Sequence, residues 1–144
     1  MHFPKTALIG VGLLGGSLGL AIQKRKLSEQ VVGYVRREAS LAACRELGVV
    51  GSATMDLTAA VSEADLVVFC TPLAQMRELA EQAVPHLKPG AIVTDVGSVK
   101  GPVVGRIEPI VGATEACFIG SHPMAGSEQS GPGAAREDLY ENSV

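Results

Sequence analysis

Tryptophan is absent, and the aromatic residues together make up only 3% of the chain. A core must therefore be built from Leu, Val, Ile and Ala, the material of buried parallel strands covered by aliphatic helices. Cysteine is scarce too. Cys44, Cys70 and Cys117 are odd in number and show neither CxxC nor Cys/His ligand spacing, so no disulfide frame and no metal site is indicated, and the three thiols are expected in the core. No run of Lys and Arg is long enough to follow a phosphate backbone, and the formal charge is −3; nucleic acid is not an expected partner. Missing as well are an 18-residue apolar stretch and a charged-then-apolar leader. No membrane span or secretory signal is expected, and the reading is cytoplasmic.

What is there points to one α/β domain. The 144 residues are 47% hydrophobic and 19% charged, enough for a chain of this length to bury roughly 68–70% of its unfolded surface. Seventeen glycines exceed the usual share of about 7%, and they sit where apolar runs end, which implies loops that approach a ligand closely.

Apolar runs and helical periodicity alternate along the chain. Residues 5–10 (KTALIG) predict a first strand and 13–24 a helix with Leu14, Leu18, Ala21 and Ile22 on one face. A strand follows at 31–35, a helix at 38–47 closed by Gly48, a weak strand at 49–53 and a short helix around 57–62. Residues 65–70 (DLVVFC) give the strongest strand signal. After them come a helix at 74–87, a strand at 91–95, a helix at 102–111 and a sixth strand at 116–120. Residues 121–133, with three glycines and two prolines, predict a functional loop. Six strands joined by right-handed helical crossovers give a doubly wound parallel sheet, a Rossmann fold of order 3-2-1-4-5-6. The chain stops at Asn142-Ser143-Val144, where another strand could begin, and a longer parent protein is expected.

Gly10-Val11-Gly12-Leu13-Leu14-Gly15 is a GxGxxG between the first strand and the first helix. Gly10 allows the tight turn, Gly12 lets the backbone approach a pyrophosphate, Gly15 lets helix and strand pack closely, and the helix N-terminus, with Leu13 and Leu14, offers N–H donors. An acidic residue about 20 positions on would accept from the adenosine ribose. Here that position is Val35, followed by Arg36 and Arg37, whose guanidinium forks suit a 2′-phosphate. NADP is therefore favoured, with NAD possible, over the alternative of a solvated arginine pair.

The nicotinamide end of such a site lies beyond the carboxyl ends of the strands. The fourth strand delivers Cys70, Thr71 and Pro72 there, the fifth Asp95 and Ser98, the sixth Ser121 and His122. Pro123 keeps His122 out of a helix. His2 and His86 read as solvated, so His122 is the candidate general base for oxidising a hydroxyl. Ser98 reads equally as its hydroxyl partner or as a helix cap. Asp95 could orient His122, or, more simply, accept loop N–H bonds.

These residues carry a resemblance. Residues 10–17 (GVGLLGGS), 95–100 (DVGSVK) and above all 121–131 (SHPMAGSEQSG) resemble the nucleotide-binding half of prephenate and arogenate dehydrogenases of tyrosine biosynthesis, over essentially the whole chain. The resemblance implies an oxidoreductase that oxidatively decarboxylates prephenate or arogenate with NAD(P)+. It also implies His122 assisting removal of the hydroxyl proton with Ser98 nearby, and an α-helical, homodimer-forming domain after residue 144 that holds a substrate-binding arginine. Two other readings of the same first turn are a nucleotide-sensing domain without chemistry and a β-hydroxyacid type dehydrogenase. Neither requires the His122 loop.

Overall fold

The computed structural model describes residues 2–144. Its strands are β1 (Phe3–Ile9), β2 (Ser28–Tyr34), β3 (Ser52–Thr54), β4 (Leu66–Phe69), β5 (Ile92–Asp95) and β6 (Cys117–Ile119); the helices are α1 (Leu13–Lys24), α2 (Glu38–Leu47), α3 (Leu57–Val61), α4 (Leu73–Ala83) and α5 (Lys100–Val111). All strand pairs are parallel, in the order β3-β2-β1-β4-β5-β6. This is the doubly wound Rossmann sheet that the sequence predicts. No helix among the described residues is long and apolar enough to cross a membrane.

Strand alternation divides the core into two layers. In β1, Ala7 and Ile9 face a layer with Val67 and Phe69 of β4, Met76 and Leu79 of α4 and Ile107 of α5. Leu8 points the other way, toward Val31, Val68, Ile22 of α1 and Cys44 of α2. Successive side chains of a strand point to opposite faces, so a central strand covered on both sides must be apolar at every position. Ala7, Leu8 and Ile9 are fully buried. The chain winds outward from β1 through α1 and α2, then returns to β4 and winds the other way. The carboxyl ends of β1 and β4 therefore flank the switch point where ligands bind in such sheets.

Several local expectations change. Val49 and Val50 are buried but lie outside β3, in the connection that seats α1: a Cβ on Gly19 would come within 2.2 Å of the Val49 carbonyl oxygen. The fourth helix stops at Ala83 and passes into a 3-10 turn at Val84–His86, where Pro85 has no N–H to continue an α-helix. The fifth begins at Lys100 rather than Pro102, since a proline in the first turn lacks only an N–H that would be unpaired there anyway. Of the thiols expected in the core, only Cys44 is fully buried; Cys70 is half-buried and Cys117 is exposed, because β6 is an edge strand with one face open. All three are free.

Candidate functional site

At the end of β1 the chain turns sharply. Gly10 adopts φ +98° and gives its N–H to Tyr34 O at 3.0 Å. A side chain there would be strained by the backbone and would lie 2.8 Å from Thr71 Cγ2. Behind the turn, a Cβ on Gly15 would sit 2.0 Å from Gly10 O, so only glycine lets the helix start this close to the strand. Gly12, by contrast, has nothing within 4 Å of its Cβ position.

Gly12 is the N-cap of α1, without a side-chain cap and with no acidic residue in the first turn. The first amide to bond back is Gly16 N–H, to Gly12 O at 2.9 Å. The amides of Leu13, Leu14 and Gly15 precede it and are left to an outside acceptor at the positive end of the helix dipole. This is an anion cradle, and the empty space at Gly12 is the approach to it.

The cradle opens into a cleft of about 420 Å³, bounded by 12–14, by 70–73 at the end of β4, by 96–98 at the end of β5, and by parts of 122–131. The structure thus brings Gly12, Leu13, Leu14, Thr71, Pro72, Ser98 and His122 around one space. Arg36 and Arg37 lie apart from it. They follow β2, are exposed, and form no ion pair among the described residues. Val35 is only 4% exposed and its N–H is bonded to Thr54 O at 3.0 Å, so the acid position of β2 is a buried valine, followed by two exposed cations and then by Glu38 in the first turn of α2.

Thr71 Oγ1 is buried without a hydrogen-bond partner at the cleft wall; such a hydroxyl is stabilised by an incoming polar group. The neighbouring Cys70 thiol is pushed up to about 12, first by burial and then by the charge of Asp95. It therefore stays protonated and offers no base at neutral pH. His122 is exposed on the cleft wall, as is Ser98. The cap of α5 is Val99, without a side-chain cap bond, so Ser98 does not serve as the helix cap that was its other reading.

Asp95 is completely buried. It accepts from Gly97 N at 2.8 Å and Ser121 N at 3.2 Å, and makes no bond to His122; the simpler of its two readings holds. Its cation is Lys100 in the first turn of α5, which bonds both Asp95 Oδ2 and Ser121 O. Ser121 Oγ adds a bond to Asp95 O. The sequence reading missed Lys100, although a buried strand-end carboxylate requires a nearby cation.

The end of the chain was missed as well. Beyond the loop it returns to α1: Arg136 N–H bonds the buried Ser17 Oγ at 2.9 Å, and Tyr140 OH donates to Leu14 O at 2.8 Å. Burial raises the Tyr140 phenol above its usual range, which keeps it a donor. Two exposed pairs, Lys24–Glu137 and Arg25–Glu141, lie farther along α1.

Known proteins resemble the chain in sequence and in fold. A prephenate dehydrogenase of Bacillus subtilis (strain 168) is 37% identical over 139 residues, covering 94% of this chain but only 36% of its own length. A crystal structure of prephenate dehydrogenase from A. aeolicus, in complex with hydroxyphenyl propionate and NAD+, superposes with a TM-score of 0.89 at 30% identity, over 99% of this chain and 49% of that one. Synechocystis arogenate dehydrogenase gives 0.87 at 32% identity, over 96% and 48%. The chain thus spans half or less of these relatives. The sequence profile of the prephenate dehydrogenase nucleotide-binding domain matches residues 18–144, starting just past the glycine turn. With the profile match, the sequence identity and the fold in agreement, the chain belongs to the family of prephenate dehydrogenase nucleotide-binding domains.

Proposed function

We propose that this chain is the cofactor-binding half of a dehydrogenase that oxidatively decarboxylates prephenate or arogenate, with NADP+ preferred over NAD+. The observation that carries the reading is that Ser98 and His122 open into the same cleft as the anion cradle at α1. A nucleotide sensor would have no use for that juxtaposition. The free thiols fit the reducing cytoplasm. A helical second half, forming the homodimer and contributing a substrate arginine, belongs to this reading through the family resemblance.

The residues fit a dinucleotide. The amides of Leu13, Leu14 and Gly15 would hold the pyrophosphate, the space at Gly12 would admit it, and Thr71 Oγ1 would gain its missing partner. Arg36 and Arg37 would face a 2′-phosphate beyond β2. When bound, the dinucleotide supplies the acceptor for the hydride that leaves the substrate's ring C4. The His122 imidazole takes the proton from the hydroxyl on that carbon, while Ser98 Oγ orients the hydroxyl. Loss of the ring carboxylate as CO2 then makes the ring aromatic, which draws the reaction forward.

The deciding experiment joins this domain to the helical half and measures initial rates with prephenate and with arogenate, each with NAD+ and NADP+. Turnover of neither substrate would defeat the reading. Two further results are expected of residues 1–144 alone. By titration calorimetry NADP+ binds at least tenfold tighter than NAD+, about 1.4 kcal/mol, within reach of one charge-assisted contact; equal affinities would remove the role given to Arg36 and Arg37. The same preparation, although it binds cofactor, shows no dehydrogenation of either substrate, since the cleft lacks the arginine of the second half. Measurable turnover would contradict this.

A further inference from the structure

We propose that Lys100 is a positioning residue that sets His122 opposite Ser98 by bridging the ends of β5 and β6. The proposal rests on the catalytic reading of these two residues. Ser98 lies between Asp95 and Lys100 in sequence, and His122 directly follows Ser121. The two residues therefore hang from different strands, and β6 is a three-residue edge strand whose ladder alone holds its end weakly. Lys100 Nζ closes the gap, donating to Asp95 Oδ2 on one side and to the Ser121 carbonyl on the other. Thr94 Oγ1, bonded to Ile119 O at 2.6 Å and to Ser121 Oγ at 3.1 Å, supports the same junction from β5.

The division of burial shows what the ammonium does. Asp95 is 0% exposed, whereas the Lys100 side chain is 31% exposed. The carboxylate is fixed in the protein interior by Gly97 N–H and Ser121 N–H, and the lysine reaches it from the rim. Lys100 does not line the cleft, so its influence on chemistry passes through the backbone at Ser121. Charge-assisted bonds of this kind hold geometry more firmly than neutral ones, and small displacements of a proton acceptor are costly in rate.

The test uses Lys100→Met and Lys100→Arg, in residues 1–144 and in the protein joined to the helical half. In residues 1–144, amide hydrogen exchange at Ser121 is expected to quicken at least tenfold in Lys100→Met, while Cys70 and Val96, whose amides bond Ile9 O and Phe69 O, keep their protection. The NADP+ dissociation constant is expected to stay within twofold. In the joined protein kcat is expected to fall roughly 10- to 100-fold with a much smaller change in substrate KM, and Lys100→Arg to regain most of the loss, a change of this size matching a displaced catalytic group. Equal loss of protection at Ser121, Cys70 and Val96 would make Lys100 a general stabiliser and overturn the proposal, as would an unchanged kcat. If the unaltered joined protein turns over neither substrate, the catalytic reading falls, and exchange at Ser121 still decides whether Lys100 fixes the junction.

Discussion

In the joined protein, His122→Asn is expected to lower kcat by about 10²–10⁴-fold, the usual contribution of a positioned general base, with cofactor affinity hardly changed. The separation follows from the architecture. The anion cradle belongs to the β1–α1 turn and the two arginines to the end of β2, on one side of the switch point. His122 comes from beyond β6 on the other side. Neither neighbouring acidic group replaces it: Cys70 on the cleft wall stays protonated, and the buried Asp95 behind it is committed to Lys100 and loop amides. A near-normal rate in the variant would make His122 a structural residue and return attention to Ser98 or the second half.

The glycine turn supplies a second large effect, because two neighbouring glycines serve opposite ends. Gly12→Ala adds a methyl to open space at an unstrained φ of −101°, so the domain should fold with an unchanged melting temperature. The methyl occupies the approach to the cradle, and the dissociation constant for either dinucleotide is expected to rise about 10- to 100-fold, roughly 1.4–2.8 kcal/mol. Gly15→Ala drives its methyl into the Gly10 carbonyl, a backbone group that cannot turn aside. A cost of about 3 kcal/mol is expected, lowering the melting temperature by roughly 10 °C. Calorimetry and thermal melts on both variants check the pair. Normal binding by Gly12→Ala would mean that the phosphate turn is misassigned.

Much of this was legible because it is local. The ends of α2 are where periodicity and the left-handed Gly48 put them, and α1 starts at Leu13, within the glycine motif, as expected. The glycine turn, the strand ends and the His122 loop each announce themselves within a few residues. What escaped the reading depends on distant partners. Val49 and Val50 look like a strand because they are apolar and β-branched; they are buried because α1 needs a floor beneath Gly19. Lys100 looks like any surface lysine until the sheet places a buried carboxylate beside it. The bonds from Ser17 to Arg136 and from Leu14 to Tyr140 span 119 and 126 residues, and no periodicity encodes them.

Those two long-range bonds give the loop at 122–131 a property that its glycines would not suggest. One end is latched to the sheet at Ser121, and the other is latched to α1, the helix whose first turn forms the anion cradle. A strap secured at both ends can bow but cannot swing aside. Traffic of ligands through the cleft must therefore use the side that the strap leaves open, or else release one latch. Leu14 is both a wall of the cleft and the acceptor for Tyr140, so the first turn of α1 and the far anchor of the strap meet in one residue.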